Sequence, residues 1–319
     1  MSQQAFLEIE GLTKTFDGLK ALEGITLSIE AGKVTSLIGP NGAGKTTFFN
    51  CITGLIPPTA GLIRFRGEPI GSLPPHEITR RGVARTFQNI RLFSEMTVLE
   101  NVMVGRYPRS APPLIGTFIG ALLQNRHFRG KERRLREEGL QSLEFVGLAD
   151  RHDLTARHLC YGDQRRLEIA RALASEPGLI LLDEPAAGMN PRETEALMVL
   201  IGRIRDQGIT PFLIEHNMKM VMKISDRIFV LDHGVKIAEG TAQEIQGNTK
   251  VIEAYLGKTG DGVRDQGTEK KDKNLGKDDW NDIFYVLLSL FPGLWPPAPD
   301  PLVSKECSQL EICALPTAR

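Results

Sequence analysis

The stretch Gly39-Pro40-Asn41-Gly42-Ala43-Gly44-Lys45-Thr46-Thr47 fits the pattern G-x-x-x-x-G-K-[ST] without a mismatch. Glycines let the backbone curl so that consecutive N–H groups and a helix N-terminus converge on one anion. Lys45 adds a charge that reaches β- and γ-phosphates, and Thr46 adds a hydroxyl for Mg²⁺. The flanks agree with this reading. Val34 to Ile38 is apolar and β-rich, and Thr46 to Ile52 reads as a helix that stops near Gly54. Strand, glycine loop and helix in that order imply a bound nucleoside triphosphate, and leave kinase, GTPase and ATPase open.

The chain has 319 residues, 39 basic and 39 acidic side chains and 41% hydrophobic content, enough for a sizeable core. A formal net charge of zero gives no electrostatic reason to expect nucleic acid or an anionic membrane surface as a general partner. Cys51, Cys160, Cys307 and Cys313 lack the spacing of zinc or redox sites, so a reducing compartment is expected. Met1 to Ala5 shows no secretory signal, and no run reaches the roughly 18 apolar residues of a membrane-spanning helix. A cytoplasmic location follows as the expectation.

Leu7 and Ile9 alternate with Glu8 and Glu10, and Ile25, Leu27 and Ile29 alternate with Thr26, Ser28 and Glu30, so both read as half-exposed strands. With Leu62 to Phe65 they predict an antiparallel layer beside the nucleotide-binding core. Thr97-Val98-Leu99-Glu100 fits a capping box and opens a helix through Val104. Pro108, Pro112 and Pro113 should break structure, Leu114 to Leu123 reads as a short apolar helix, and Lys131 to Val146 as an amphipathic one. Leu179 to Leu182, Pro211 to Ile214 and Ile228 to Leu231 are apolar strands separated by helical stretches, which implies a mainly parallel sheet. Asp232-His233-Gly234 signals a turn into Val235 to Ala238, and Met218, Met220 and Met222 read as core packing.

Residues 259–319 are set apart by composition. Thr259 to Asp279 is rich in Lys, Asp and Gly and reads as a solvated linker, and the apolar run Ile283 to Phe291 is cut short by prolines. A poorly ordered appendage is the expectation.

The strand Leu179-Ile180-Leu181-Leu182 ends in Asp183-Glu184. Beside a phosphate loop, Asp183 can organise Mg²⁺ and Glu184 can orient and polarise a water for attack on the γ-phosphate. Between these elements lies Leu159-Cys160-Tyr161-Gly162-Asp163-Gln164-Arg165-Arg166-Leu167-Glu168-Ile169-Ala170-Arg171, and here the chain resembles an ABC-type ATPase. That resemblance implies an α/β P-loop NTPase fold with an antiparallel β layer and a helical subdomain at about 97–175, spanning 6–258 in all. It implies that Cys160, Gly162, Asp163 and Gln164 form the signature element, which in the family covers the ATP of a second subunit in a head-to-tail dimer. Gln88 matches the Q-loop glutamine that touches Mg²⁺ or the attacking water, His216 the switch histidine at the γ-phosphate, and Phe16 the aromatic that stacks on adenine. Pro185 to Asn190 occupies the D-loop.

The resemblance is closest to the ATP-binding subunits of bacterial branched-chain amino-acid importers. It is carried by Arg85-Thr86-Phe87-Gln88, Phe93 to Asn101, Tyr161 to Arg171, Glu184 to Pro191 and the ending Ile252-Glu253-Ala254-Tyr255-Leu256-Gly257. It implies two membrane permease subunits, a second ATP-binding subunit in a homo- or heterodimer, a periplasmic binding protein acting indirectly, and a peripheral place on the cytoplasmic face of the inner membrane. ATP and Mg²⁺ are the implied ligands. Urea, amide and lipopolysaccharide transporters use similar ATPases. An ABC ATPase of translation or DNA maintenance is the alternative of another class, against which stand the single P-loop and the lack of a long insertion or basic patch.

Two positions depart from the family pattern. Cys160 replaces the signature serine, so a hydroxyl is exchanged for a weak S–H donor, and Asp163 stands where glutamine is usual. Backbone N–H groups around Gly162 are expected to keep the element competent. A neutral hydrogen bond is worth about 0.5–1.5 kcal/mol net, so Cys160→Ser should hydrolyse ATP within about tenfold of the parent. A far larger gain in a turnover assay would show that the natural element is degenerate.

Overall fold

Alternating and continuous apolar runs sort the strands into two sheets. The computed structural model describes residues 5–110 and 126–256. The expected helix at Leu114 to Leu123 and the 259–319 extension lie outside the described residues. Alternating β1 (Leu7–Phe16) and β2 (Leu19–Ile29) pair antiparallel through a turn at Asp17 and Gly18, and β4 (Ala60–Phe65) pairs with the other edge of β1. The short β5 (Glu68–Pro69) completes the order β2-β1-β4-β5.

The second sheet is built from β3 (Thr35–Ile38), β6 (Val83–Arg85), β7 (Leu179–Asp183), β8 (Thr210–Ile214), β9 (Arg227–Asp232) and β10 (Val235–Gly240). Its order is β10-β9-β3-β8-β7-β6, parallel throughout except for the β9–β10 hairpin. Every residue of β3, β7 and β8 is buried, as expected for strands covered on both faces. The covering helices include α1 (Lys45–Ile52), α2 (Pro75–Arg80), α3 (Val98–Ser110), α4 (Arg126–Val146), α5 (Tyr161–Leu173), α6 (Pro191–Asp206), α7 (Met218–Ile224), α8 (Ala242–Gln246) and α9 (Thr249–Leu256).

Three apolar clusters hold these layers. One lies between the two sheets and α1, where Phe212 of β8 meets Phe48 and Phe49 edge-on, with ring centroids at 6.2 and 5.0 Å. On the other face, α3, α4, α5 and α6 share a cluster with Ile180, Leu182 and Leu213, so the helical segment is fastened to the sheet. The third joins Ile38, Ile228 and Val230 to α7, α8 and α9, with Met218 and Met222 against it and Met220 buried in the second cluster.

The capping box at Thr97 forms as expected: Thr97 N donates to Glu100 Oε2 at 2.8 Å and Glu100 N to Thr97 Oγ1 at 3.1 Å. The helix after it runs past the expected break at Pro108 to Ser110. Likewise α4 begins at Arg126, ahead of the expected Lys131.

The aromatic cluster lies directly under α1, so its loss should loosen the phosphate loop. Phe212→Ala is expected to lower unfolding free energy by about 3–5 kcal/mol, read as a lower urea midpoint.

Candidate functional site

The phosphate loop leaves β3 at Gly39 and enters α1 at Lys45, and its two ends require glycine for reasons of space. At Gly39 (φ +152°) an added Cβ would lie 2.1 Å from Leu231 O, and at Gly44 (φ +96°) it would lie 2.6 Å from Ala21 O. Helix α1 has no acidic residue in its first turn and no side-chain cap, so its leading N–H groups are left for an anion. Ala43 O accepts from Gly234 N at 3.1 Å, tying the loop to the β9–β10 turn. Asn41, Gly42 and Thr46 are exposed and Thr47 half-buried.

Lys45 is 6% exposed and folds back onto the loop, its Nζ donating to Gly39 O at 2.7 Å and Pro40 O at 3.0 Å. Burial lowers its pKa to about 8, a shift tempered by the nearby charges of Glu184 and Asp183. The loop thus holds a lysine whose charge is costly until an anion arrives.

Parallel pairing sets Arg85 opposite Leu181 and Asp183 opposite Ile214, which brings the loops after β6, β7 and β8 side by side. Glu184 occupies a left-handed conformation (φ +47°), with its N–H on Ile214 O at 2.9 Å. Gln88 Nε2 donates to Glu184 Oε2 at 2.8 Å, and His216 Nε2 lies 3.1 Å from Oε1. Against a carboxylate the imidazole is the donor. The His216 hydrogen bond is the main cause holding the Glu184 carboxyl below its ordinary pKa, with Gln88 and Lys45 assisting against burial. The three residues expected to do chemistry, from three separate loops, therefore share one junction.

Asp183 is buried and its Oδ2 accepts from Arg85 Nη2 at 2.7 Å. Arg85 also donates to Asn50 Oδ1 at 2.7 Å and lies near the rings of Phe49 and Phe87, at 5.6 and 5.1 Å. Sequence reasoning assigned Arg85 no part, because only the β6–β7 register reveals its neighbour. Nothing local in the sequence marks Glu215 either. Its buried carboxylate accepts from Ala186 N at 2.8 Å, His216 N at 3.1 Å and Asn217 N at 3.3 Å, joining the D-loop to the histidine loop. Burial raises its pKa. A third missed residue is Tyr255 of α9, which packs on the cluster containing Ile38, the last residue before the phosphate loop.

The signature element starts α5. Cys160 is its exposed N-cap, with no capping bond from the thiol, and Gly162 is buried against Glu193, whose Oε1 would lie 3.0 Å from an added Cβ. Gln164 Nε2 donates to Leu159 O at 3.0 Å. Asp163, expected at the nucleotide, turns its buried carboxylate to Arg151 and Arg166, so its side chain braces the element from behind. Among the described residues no hydrogen bond joins Cys160–Gln164 to the phosphate loop of the same chain. Phe16 is 40% exposed at the end of β1, with Lys14 Nζ 4.9 Å from its ring centroid, so a face is available for stacking.

The oxygen donors suit Mg²⁺, which takes oxygen ligands with one or two carboxylates among them and keeps waters and phosphates. Thr46 offers an exposed hydroxyl, Asp183 an Oδ1 outside the Arg85 pair, and Gln88 an Oε1, since its Nε2 is the atom on Glu184.

Comparison with known proteins places the chain among relatives. Residues 22–187 match the ABC transporter family model, and residues 235–261 match that of the branched-chain amino acid ATP-binding cassette transporter. The chain is 50% identical over 252 residues to the high-affinity branched-chain amino acid transport ATP-binding protein BraF of Pseudomonas aeruginosa, covering 79% of this chain and 97% of that protein. It is 46% identical over 255 residues to LivG of Escherichia coli K12, another high-affinity branched-chain amino acid transport ATP-binding protein, covering 80% and 98%. Its fold is similar to the crystal structure of a nucleotide-free ATP-binding cassette from an ABC transporter, with TM-score 0.70, 34% identity, and coverage of 80% of this chain and 100% of that one.

The depressed Lys45 pKa makes nucleotide binding depend on pH. Free Lys45 loses its proton near pH 8, whereas a triphosphate beside it favours the charged form and pulls its pKa back toward 10.5. Between those values the bound state holds more protons, so ATP affinity should fall as pH rises through about 8. Calorimetry in buffers of different ionisation enthalpy should show proton uptake in that window, and its absence would contradict the assignment.

Proposed function

The chain belongs to the ABC transporter ATP-binding family, and on that premise we propose that it binds and hydrolyses ATP to power the import of branched-chain amino acids. The observation that carries the hydrolytic part is the Glu184 carboxylate, held ionised between Gln88 and His216 at the end of β7. Cargo rests on similarity: the branched-chain model matches 235–261, which favours this cargo over urea, amides or lipopolysaccharide.

In the proposed cycle the N–H groups of Gly39 to Thr47 and the start of α1 receive the triphosphate. Lys45 exchanges the carbonyls of Gly39 and Pro40 for phosphate oxygens, which restores its full charge. Phe16 stacks on adenine. Glu184 orients a water and draws off its proton as the water oxygen bonds to the γ-phosphorus and the bond to ADP breaks. His216, supported by Glu215, passes from Glu184 to the γ-phosphate, and Gln88 turns with the water. Mg²⁺, held by Thr46 and Asp183 with Gln88 adjacent, would neutralise phosphate charge.

Half of this site is proposed to come from elsewhere. Cys160, Gly162 and Gln164, with Asp163 behind them, would cover the ATP of a second ATP-binding subunit, while that subunit's signature covers this one's. Two membrane permease subunits would ride on the closing pair, and a periplasmic binding protein would deliver cargo to them. Among the described residues no helix is long and apolar enough to cross a membrane. We place the chain peripherally on the cytoplasmic face, held there by the permeases.

Glu184→Gln tests the reading. It should keep ATP affinity, lose about 10²- to 10⁴-fold in turnover, and elute as an ATP-dependent dimer in gel filtration. Parent turnover in that variant would remove the assignment.

A further inference from the structure

Two charged residues of α5 are almost wholly buried and lie away from the phosphate loop. Arg165 and Glu168 are each 2% exposed and pair at 3.2 Å. Both also reach the backbone of one loop, the segment that carries Gln88. Arg165 Nη1 donates to Phe87 O at 2.7 Å, and Nη2 donates to Gln88 O. Glu168 Oε1 accepts from Phe87 N at 3.3 Å and Arg91 N at 3.5 Å. Phe87 is therefore gripped at both its N–H and its carbonyl. One turn on, Arg171 donates to Arg91 O and lies 4.0 Å from Glu168.

The pair is an expensive way to pack a helix. A buried ion pair generally adds little stability over apolar side chains of similar volume, and here Arg165 Nε is also left without a partner. What the charges do provide is directional grip on a backbone that apolar side chains could not hold. At one end of this rigid unit is the Cys160 N-terminus of α5, and at the other is the Gln88 side chain on Glu184.

We propose that Arg165 and Glu168 are positioning residues that make Gln88 move with the signature helix. Closure of Cys160–Gln164 on the partner subunit's nucleotide then sets the Gln88–Glu184 contact in the chain's own site, and the two ATP sites fire together. The inference rests on the reading above, in which Glu184 acts on water and the start of α5 covers the partner's ATP.

The test uses the full-length chain carrying Arg165→Met with Glu168→Leu, which removes both charges and keeps volume. Unfolding temperature should fall only slightly, because the swap removes a costly ion pair but also strips the Gln88 loop of its backbone partners, and affinity for a non-hydrolysable ATP analogue should stay within about twofold, while kcat falls at least about tenfold and the Hill coefficient for ATP drops toward one. Adding Gln88→Ala to the double variant should then cost much less than Gln88→Ala costs in the parent. Parent kcat and parent cooperativity in the folded double variant would overturn the proposal. Should that variant unfold early, the isosteric Glu168→Gln is measured instead: reduced kcat and cooperativity at parent affinity support the proposal, and parent values overturn it. Glu184→Gln run alongside separates the two readings. If it retains turnover, the catalytic assignment fails and takes this inference with it; if it is inactive while the pair variants behave as the parent, only this inference fails.

Discussion

Glu184 holds a backbone conformation (φ +47°) that a non-glycine residue adopts only at a cost of about 1–3 kcal/mol, and its carboxylate accepts from both Gln88 and His216. The rest of the molecule arranges for that contact. Three parallel strands must end level so that the loops after β6, β7 and β8 arrive at one place, and their registers do so. The strain is offset by the Glu184 N–H bond to Ile214 O and by Glu215, which anchors the histidine loop and the D-loop through three backbone N–H groups. A sheet without this level edge would leave the same residues as three unrelated polar side chains.

Charge is handled at the junction by keeping each ion beside a provisional partner. Lys45 rests on two carbonyls of its own loop, and Asp183 rests on Arg85, which is in turn held by Asn50 of α1. A triphosphate would take Lys45 from its carbonyls, and a divalent cation would take the Oδ1 of Asp183 that Arg85 leaves open, so little reorganisation is needed when they bind. Arg85 also links α1, β7 and the Q-loop, since it touches Asn50, Asp183 and Phe87 at once.

Local patterns carried much of this in the sequence. The glycine loop, the apolar run ending in Asp183-Glu184, the capping box at Thr97 and the alternating strands are all short-range signals, and the strands and helices form where those signals stand. Contacts made across strands or between distant loops left no such mark. Arg85 looks like an ordinary polar strand end, Glu215 like a neighbour of His216, and Arg165 and Glu168 like the solvated face of an amphipathic helix; register and packing turn each of them inward. Asp163 shows the converse, because its place in a motif suggested a ligand whereas its partners, Arg151 and Arg166, make it a brace. At Pro108 the local signal for a break is not followed, since the helix runs on to Ser110.

We propose that the phosphate loop is one half of a site whose other half is the Cys160 end of α5 in a partner subunit. Cys160 is exposed in the single chain, which makes it a reporter of that closure, while Cys51 is buried and its thiol pushed up to about 11. The direct measurement is the alkylation rate of Cys160, followed by peptide mass spectrometry in Glu184→Gln. Cys160 should react fast without nucleotide, slow when ATP and Mg²⁺ are added to concentrated protein, and stay fast when the same mixture is diluted below dimerisation. Equal reactivity of Cys160 under all three conditions would contradict it.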